Sequence, residues 1–218
     1  MRMSALVVQL ECSDVSSLRL ALTRLSVFSE DQFLQKTVVS WSHASKTRAW
    51  SYMGHNVPGE ILARFFSKAS GLSKLEQRIL KVLVDSGCLR CNGNEWVCSK
   101  SFYVTGFRRG DWATCRHELS HALFHLIPEF RKTCLDLFRD LETKTKSKVE
   151  ACLRQRGYPE ELFCDEFCAY LLEGDKEILK ILRSDEKRTL LETNANRQLH
   201  ESVTVRLSHE LASLDSMQ

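Results

Sequence analysis

The sequence predicts an α+β fold that is mostly helical and contains a small sheet. Short apolar runs such as Ala5–Leu10 and Lys36–Trp41 are typical of strands, whereas helical spacing dominates after residue 110. With 218 residues, the chain is long enough for one domain with a full core. We therefore expect a single domain over 1–218, with a sheet-containing half at 1–110 and a helical half at 111–218.

The first half is expected to alternate helices with strands and turns. Helical spacing of apolar residues occurs at 18–25, 61–66 and 73–86, and the Gly- and Pro-containing stretch 51–60 indicates a loop. Asn92-Gly93-Asn94 lies between two short strand-like pieces and predicts a hairpin. The apolar stretch Ser101–Phe107 then predicts a strand immediately before the helical half.

Two helices of the second half carry the informative motifs. The first begins after Gly110-Asp111, contains CRHELSHALFH and is limited by Pro128. The next well-marked helix begins at Pro159, ends before Gly174 and contains ELFCDEFCAYLL. The polar run at 143–148 is interpreted as a loop or a solvated helix face, and about the last 45 residues predict two more amphipathic helices.

Composition limits the partners and the compartment. The 31 Lys and Arg residues and the 28 Asp and Glu residues are spread along the chain, so no nucleic-acid partner is expected. No apolar run approaches the roughly 18 residues of a membrane span, and Gln9 and Glu11 interrupt the N-terminal apolar run, which argues against a signal peptide. Nine cysteines, an odd number, indicate free thiols, which predicts the cytosol or the nucleus.

The hairpin region offers two further interpretations. A helix at 73–86 followed by a hairpin at 88–98 has the order of a helix and wing, but Arg90 and Lys100 supply too few positive charges for DNA binding. Three cysteines, at positions 88, 91 and 98, have the start of a zinc-knuckle spacing. Because no second C-x-x-C follows, we interpret them as thiols of a hairpin.

The stretch CRHELSHALFH contains His-Glu-x-x-His. His117 and His121 are four residues apart, so on a helix their imidazoles share one face and can each lie about 2.0–2.1 Å from a single zinc ion. Glu118 can then take a proton from zinc-bound water and pass it to a leaving amine. Near the C-terminus, LSHELAS contains His209-Glu210 without a second histidine, which shows that His-Glu alone is a weak signal. The case for a zinc site therefore depends on the second histidine and on a third ligand elsewhere.

Three carboxylates on the later helix are candidates around that third position. His125 is excluded as a ligand, because it lies roughly 12 Å along the helix axis from His117. We expect Glu161 to bind the metal and Asp165, one turn later, to accept the outward N–H of a ligating histidine. Glu166 is the alternative ligand, because a rotation of about 100° per residue would turn it inward. The same acidic residues could instead form a solvated first helical turn.

The pair HELSHALFH and ELFCDEFCAYLL resembles the gluzincin metallopeptidases, with H-E-x-x-H on one helix and E-x-x-x-D on a later one. It is similar in particular to the ImmA/IrrE-type peptidases, over about 60 residues of the chain. The resemblance implies a zincin-like fold, in which the strand before the active helix is the edge of the sheet and pairs with an extended peptide. By position, Ser101–Phe107 fits that strand.

The resemblance also implies a soluble zinc-dependent endopeptidase that acts on a peptide or protein. Its ligands would be His117, His121 and Glu161, with Glu118 as general base and Zn²⁺ as cofactor. The residue that stabilises the oxyanion stays open among three tyrosines and two histidines: Tyr103, Tyr158, Tyr170, His43 and His55. The alternatives are a catalytically inactive zincin-fold protein with a binding or regulatory role, and a structural zinc with a fourth protein ligand.

Overall fold

A computed structural model describes residues 6–30, 36–198 and 202–207 of the chain. The protein is α+β and mostly helical with a small sheet, which confirms the predicted class. It divides into two compact units, one containing the chain up to Asp111 and the strand at 202–207, the other beginning at Trp112. The division lies next to the predicted boundary at 110, but the C-terminal strand returns to the first unit.

The first unit contains two sheets and four helices within the described residues. In chain order its elements are β1 (Leu6–Cys12), α1 (Val15–Glu30), α2 (Trp41–Ala44), β2 (Gly54–Pro58), α3 (Gly59–Lys68), α4 (Lys74–Asp85), β3 (Leu89–Asn92), β4 (Glu95–Cys98), β5 (Phe102–Arg108) and, after the second unit, β6 (Ser202–Leu207). A 3-10 turn covers Arg48–Ser51. β3 and β4 form the predicted hairpin.

The larger sheet has the strand order β2-β5-β1-β6. β1 pairs in parallel with β5 and β6, and β2 pairs antiparallel with β5. The expectation that Ser101–Phe107 forms the edge of the sheet is therefore wrong, because β5 lies between β1 and β2. The physical reason is burial on both faces, since all residues from Phe102 to Phe107 are buried.

Three other elements differ from the predictions. The run Lys36–Trp41 is not a strand, and only its last residue enters an element, α2. The predicted loop at 51–60 contains β2, because pairing with β5 overrides the turn preference of its Gly and Pro residues. The C-terminal region contains two helices followed by β6, whose Val203-Thr204-Val205 run suits a strand.

The core of the first unit lies between α1, the larger sheet and the α3–α4 pair. Leu18 and Leu22 of α1 lie against Gly106 of β5, where a Cβ atom would overlap the Leu22 side chain. Glycine at this position therefore sets how closely α1 approaches the sheet. Phe28 and Phe65 meet edge to face between α1 and α3, with ring centroids 5.5 Å apart.

The second unit is helical. Its elements are α5 (Trp112–Leu126), α6 (Pro128–Arg139), α7 (Thr143–Gln155), a 3-10 turn (Glu160–Leu162), α8 (Phe163–Glu173), α9 (Lys176–Leu182) and α10 (Glu186–Gln198). The polar run at 143–148 is helical, as one of its two interpretations held. α5 packs along α8, and Gly174, at a φ of 89°, ends α8 in a left-handed cap. None of the described helices is both long and apolar enough to span a bilayer.

Candidate metal centre

Two histidines and one glutamate converge inside the second unit. His117 and His121 come from α5, and Glu166 comes from α8. The Nε2 atoms of the two histidines lie 3.7 and 3.8 Å from the Glu166 carboxylate oxygens. One ligand atom from each residue lies within 4.8 Å of the other two. Within the described residues, this is the one group of three or more such side chains with the spacing of a metal site.

Helix geometry explains why these three side chains meet. His117 and His121 are one turn apart and share a face of α5. That face packs along α8, where Glu166 is buried. The helix begins at Phe163, after the 3-10 turn, and not at Pro159. The rotation of α8 about its axis, which turns Glu166 toward α5, is therefore determined after that turn.

The outer nitrogen of each histidine faces a second carboxylate. Asp165 Oδ2 lies 3.0 Å from His121 Nδ1, and Glu173 Oε2 lies 3.0 Å from His117 Nδ1. Because a carboxylate accepts, each of these contacts takes the proton of Nδ1–H, and Nε2 is the nitrogen of each ring that lies on the side of Glu166 and could bind a metal. Both rings are thus oriented with the ligand nitrogen toward one point.

Asp165 lies at the outer nitrogen of a histidine, where the sequence led us to expect it, whereas Glu173 was not among the predicted site residues. Glu173 is the last residue of α8 and lies seven positions after Glu166. Two helical turns separate them, so they lie on nearly the same face. If Glu166 is taken as the ligand, this spacing of seven residues could have indicated from the sequence that Glu173 lies near the same site.

The site holds more negative than positive charge. Burial lowers the pKa of His121, but the carboxylates of Asp165, Glu166 and Glu118 raise it to about 10. Burial also raises the pKa of Glu166, against the opposing effect of the two imidazoles. Glu166 Oε2 is buried and has no hydrogen-bond partner among the described residues. A dication at this point would satisfy the orphan oxygen and balance the carboxylates, so the residues fit a metal ion.

Glu118 lies next to the ligands and is itself buried, with 6% of its surface exposed. Its negative charge acts on both His121 and Glu166, which raises the pKa of each. A buried carboxylate beside a metal position is suited to accept a proton there. The arrangement therefore includes a candidate base as well as candidate ligands.

Glu161 and His125 lie outside this group. Glu161 is exposed in the 3-10 turn before α8, so the structure does not bring the expected third ligand to the histidines. Glu166, the alternative ligand, is brought there instead. His125 is exposed one turn beyond His121, and its carbonyl oxygen accepts from Arg131 Nη2 at 2.6 Å. It does not belong to the metal group, in agreement with the helix-rise argument.

Two of the five oxyanion candidates lie beside the site. The Tyr170 ring packs edge to face on His117, with centroids 4.7 Å apart. The Tyr158 hydroxyl lies 3.0 Å from the Tyr170 hydroxyl. Burial, and then the negative charge of Glu166, raise the pKa of Tyr158 well above its ordinary range, so it stays protonated. The guanidinium of Arg156 stacks 4.2 Å from the Tyr170 ring centroid and holds that ring in place.

The other three oxyanion candidates belong to the first unit. Tyr103 is buried and donates its hydroxyl to Asn56 Oδ1 at 2.7 Å. His55 is buried with its Nδ1 2.7 Å from Ser26 Oγ. His43 is exposed on α2. Tyr158 and Tyr170 are therefore the two candidates that belong to the unit of the metal group.

Comparisons with protein-family models, with curated proteins and with solved structures found no match to this chain. The gluzincin resemblance therefore continues to depend on the motif residues alone.

Proposed function

We propose that the protein is a zinc-dependent peptidase that hydrolyses peptide bonds by a metal-activated water. The observation that carries this proposal is the convergence of His117 Nε2, His121 Nε2 and the Glu166 carboxylate, with each Nδ1 at 3.0 Å from a further carboxylate. The ligand set in this proposal differs from the expected one only in Glu166, which replaces Glu161.

The donor set favours zinc among the common metals. Imidazole nitrogen suits zinc, copper, iron and nickel, whereas magnesium and calcium prefer oxygen ligands alone. Two histidines and one glutamate form a known set for catalytic zinc, which keeps its remaining position open. Asp165 and Glu173 contact the outer nitrogens of the histidines, so they support the ligands and do not fill that position.

When bound, zinc supplies a Lewis acid that lowers the pKa of water and polarises a substrate carbonyl. Glu118 accepts the proton of the attacking water and donates it to the leaving amine. Asp165 and Glu173 keep the two imidazoles in the orientation and tautomer that leave Nε2 as the ligand atom.

Tyr158 is the residue that we assign to the developing oxyanion. Its hydroxyl is fixed by Tyr170 at 3.0 Å, and burial together with the charge of Glu166 keeps it protonated. A neutral donor held beside the metal position can strengthen its hydrogen bond as negative charge develops on the substrate oxygen. The substrate is a peptide or an extended protein segment.

Metal analysis together with one substitution tests the proposal. We expect about one zinc per chain after purification in zinc-containing buffer, and hydrolysis of fluorescently labelled casein. Glu118→Gln should abolish hydrolysis and leave the zinc content unchanged, because Glu118 moves a proton and does not bind the metal. A matched substitution of an exposed acid in the same unit, Glu129→Gln, should change neither quantity.

Three results would contradict the proposal. A chain that stays free of zinc at saturating metal has no such centre. Zinc at full occupancy, with casein cleavage that is equal in the wild type and in Glu118→Gln, would show that the cleavage comes from elsewhere. Full zinc occupancy with no cleavage of casein or of a peptide library would favour the alternative of an inactive binding or regulatory protein.

A further inference from the structure

The net positive charge of the chain is concentrated in one segment of the first unit. Residues 59–100 contain seven Lys and Arg against four Asp and Glu, a surplus of three, and the whole chain has 31 against 28, also a surplus of three. The remaining residues are therefore balanced. One of the four acids, Glu76, is buried and paired with Arg24 at 2.9 Å, so the surface of the segment is more positive than its composition.

This segment folds as helix, turn, helix and hairpin. α3 and α4 are joined by the turn at 69–73, and both pack against α1. The β3–β4 hairpin follows α4 directly and packs on α3 through β4. The backbone N–H of Trp96 donates to Ser67 Oγ at 2.8 Å, which fixes the hairpin to α3. Helix-turn-helix units present their second helix to DNA in this order, and a hairpin can extend the contact.

One face of α4 is buried and the other is open. Leu75, Ile79 and Leu83 are buried in the core. Lys74, Gln77 and Lys81, spaced by three and four residues, are exposed and form one stripe on the opposite side. Lys81 pairs with Asp85, but both side chains are more than half exposed, so solvent and salt screen this pair strongly.

The neighbouring elements also carry exposed cations. Arg64 and Lys68 are exposed one turn apart on α3, and Arg90 is exposed on β3. Lysine and arginine bind phosphate oxygens, and glutamine can bind base edges in the major groove. Arg90 and Lys100 are the cations of the hairpin region, and α3 and α4 add further exposed cations to them.

We propose that α4 and the β3–β4 hairpin bind double-stranded DNA, with the stripe Lys74, Gln77 and Lys81 directed into the major groove. Arg90 and the exposed cations of α3 contact the flanking phosphates. This proposal departs from the expectation that nucleic acid is not a partner. It concerns the first unit only and does not depend on the metal centre or on peptide hydrolysis.

Fluorescence anisotropy with the full chain and a labelled 20-bp DNA duplex tests the proposal. We expect binding at 50 mM salt that weakens linearly in a plot of log K against log salt concentration. The double variant Lys74→Glu/Lys81→Glu should bind at least 10-fold more weakly, because both positions of the stripe then present negative charge to the DNA. The control Lys144→Glu/Lys148→Glu removes two exposed lysines from α7 and should bind within about twofold of the wild type.

Three results would overturn the proposal. The first is no binding of the wild type at 50 mM salt. The second is an equal loss in both double variants, which would indicate general attraction to a polyanion. The third is equal affinity for a 20-bp RNA duplex, whose deep, narrow major groove excludes a helix. Thermal unfolding of each variant shows that the chain is folded, so a loss in a folded variant is a loss of the contact.

Discussion

The carboxylate of Asp165 lies 3.0 Å from Nδ1 of His121, while Nε2 of the same ring lies 3.8 Å from Glu166. The imidazole is thus held between a supporting carboxylate on one side and a candidate ligand carboxylate on the other. Such a support fixes the ring orientation and raises the basicity of the ligand nitrogen. Because Asp165 contacts His121 and is not itself a candidate ligand, a substitution at Asp165 measures the effect of this support on metal affinity.

We expect Asp165→Ala to weaken zinc binding by about 10- to 100-fold, because His121 loses the acceptor that fixes its tautomer. Asp165→Asn should lose less zinc affinity than Asp165→Ala, since the amide oxygen still accepts from Nδ1–H of His121. Competition with a chromophoric zinc chelator at constant pH measures both affinities. Equal affinity of the wild type and Asp165→Ala would show that the contact does not support the ligand.

The choice between Glu166 and Glu161 is tested by a matched pair of substitutions. Glu166→Gln should weaken zinc binding by at least about tenfold, because the buried carboxylate is one of three candidate ligands. Glu161→Gln should leave the affinity unchanged, because Glu161 is exposed in the turn before α8. The opposite result, with zinc lost only from Glu161→Gln, would restore the ligand that the sequence motif suggested.

Tyr158→Phe should lower the turnover of a peptide substrate by about 100-fold, the usual cost of removing one oxyanion donor. The zinc content should stay at one per chain, because the hydroxyl does not belong to the ligand group. A matched loss of a hydroxyl in the first unit, Tyr52→Phe, controls for the substitution itself. Unchanged turnover in Tyr158→Phe would remove this tyrosine from the mechanism.

The stability of the chain should depend on pH through His55. Burial, and then the positive charge of Arg19, lower the pKa of this histidine to about 3, and its Nε2 has no hydrogen-bond partner in the part of the chain that the structure describes. In the unfolded chain the pKa of the same residue is about 6.5, the ordinary value for histidine. Stabilisation by neutral His55 is therefore complete above about pH 6.5 and is lost as the pH falls toward 3, at up to about 1.4 kcal/mol per pH unit.

Urea unfolding of the wild type and of His55→Asn at several pH values measures this effect. The difference in unfolding free energy between the two should shrink as the pH falls from about 6.5 toward 4. The exposed His43→Asn variant serves as the control for loss of an imidazole. A difference that stays constant over this range would show that His55 is not the linked group.

The local part of the candidate centre could be predicted from the chain alone. His117, Glu118 and His121 fall within about one helical turn, so their arrangement is determined once this segment forms a helix. The support of Asp165 for a histidine was also predicted. The hairpin at Asn92-Gly93-Asn94 could also be predicted from the chain alone, because the residues of the turn determine its conformation locally.

The strand order and the end of the chain needed long-range information. β5 has the composition of a buried strand, but no local signal says that β2, with its Gly and Pro, pairs along its outer side. The alignment of β6 with β1 joins residues about 195 positions apart in the sequence. Cross-strand pairing of this kind depends on which surfaces meet, and periodicity within one segment does not encode it.

By itself, the sequence determined an α+β chain, a helix with two histidines and a glutamate on one side, and a later acidic helix that could complete a metal site. Only the tertiary structure decided that Glu166, and not Glu161, lies at the histidines. The two glutamates are five residues apart, so at about 100° per residue they point roughly 140° away from each other on one helix. The 3-10 turn at 160–162 and the packing of α8 against α5 determine which of them faces inward.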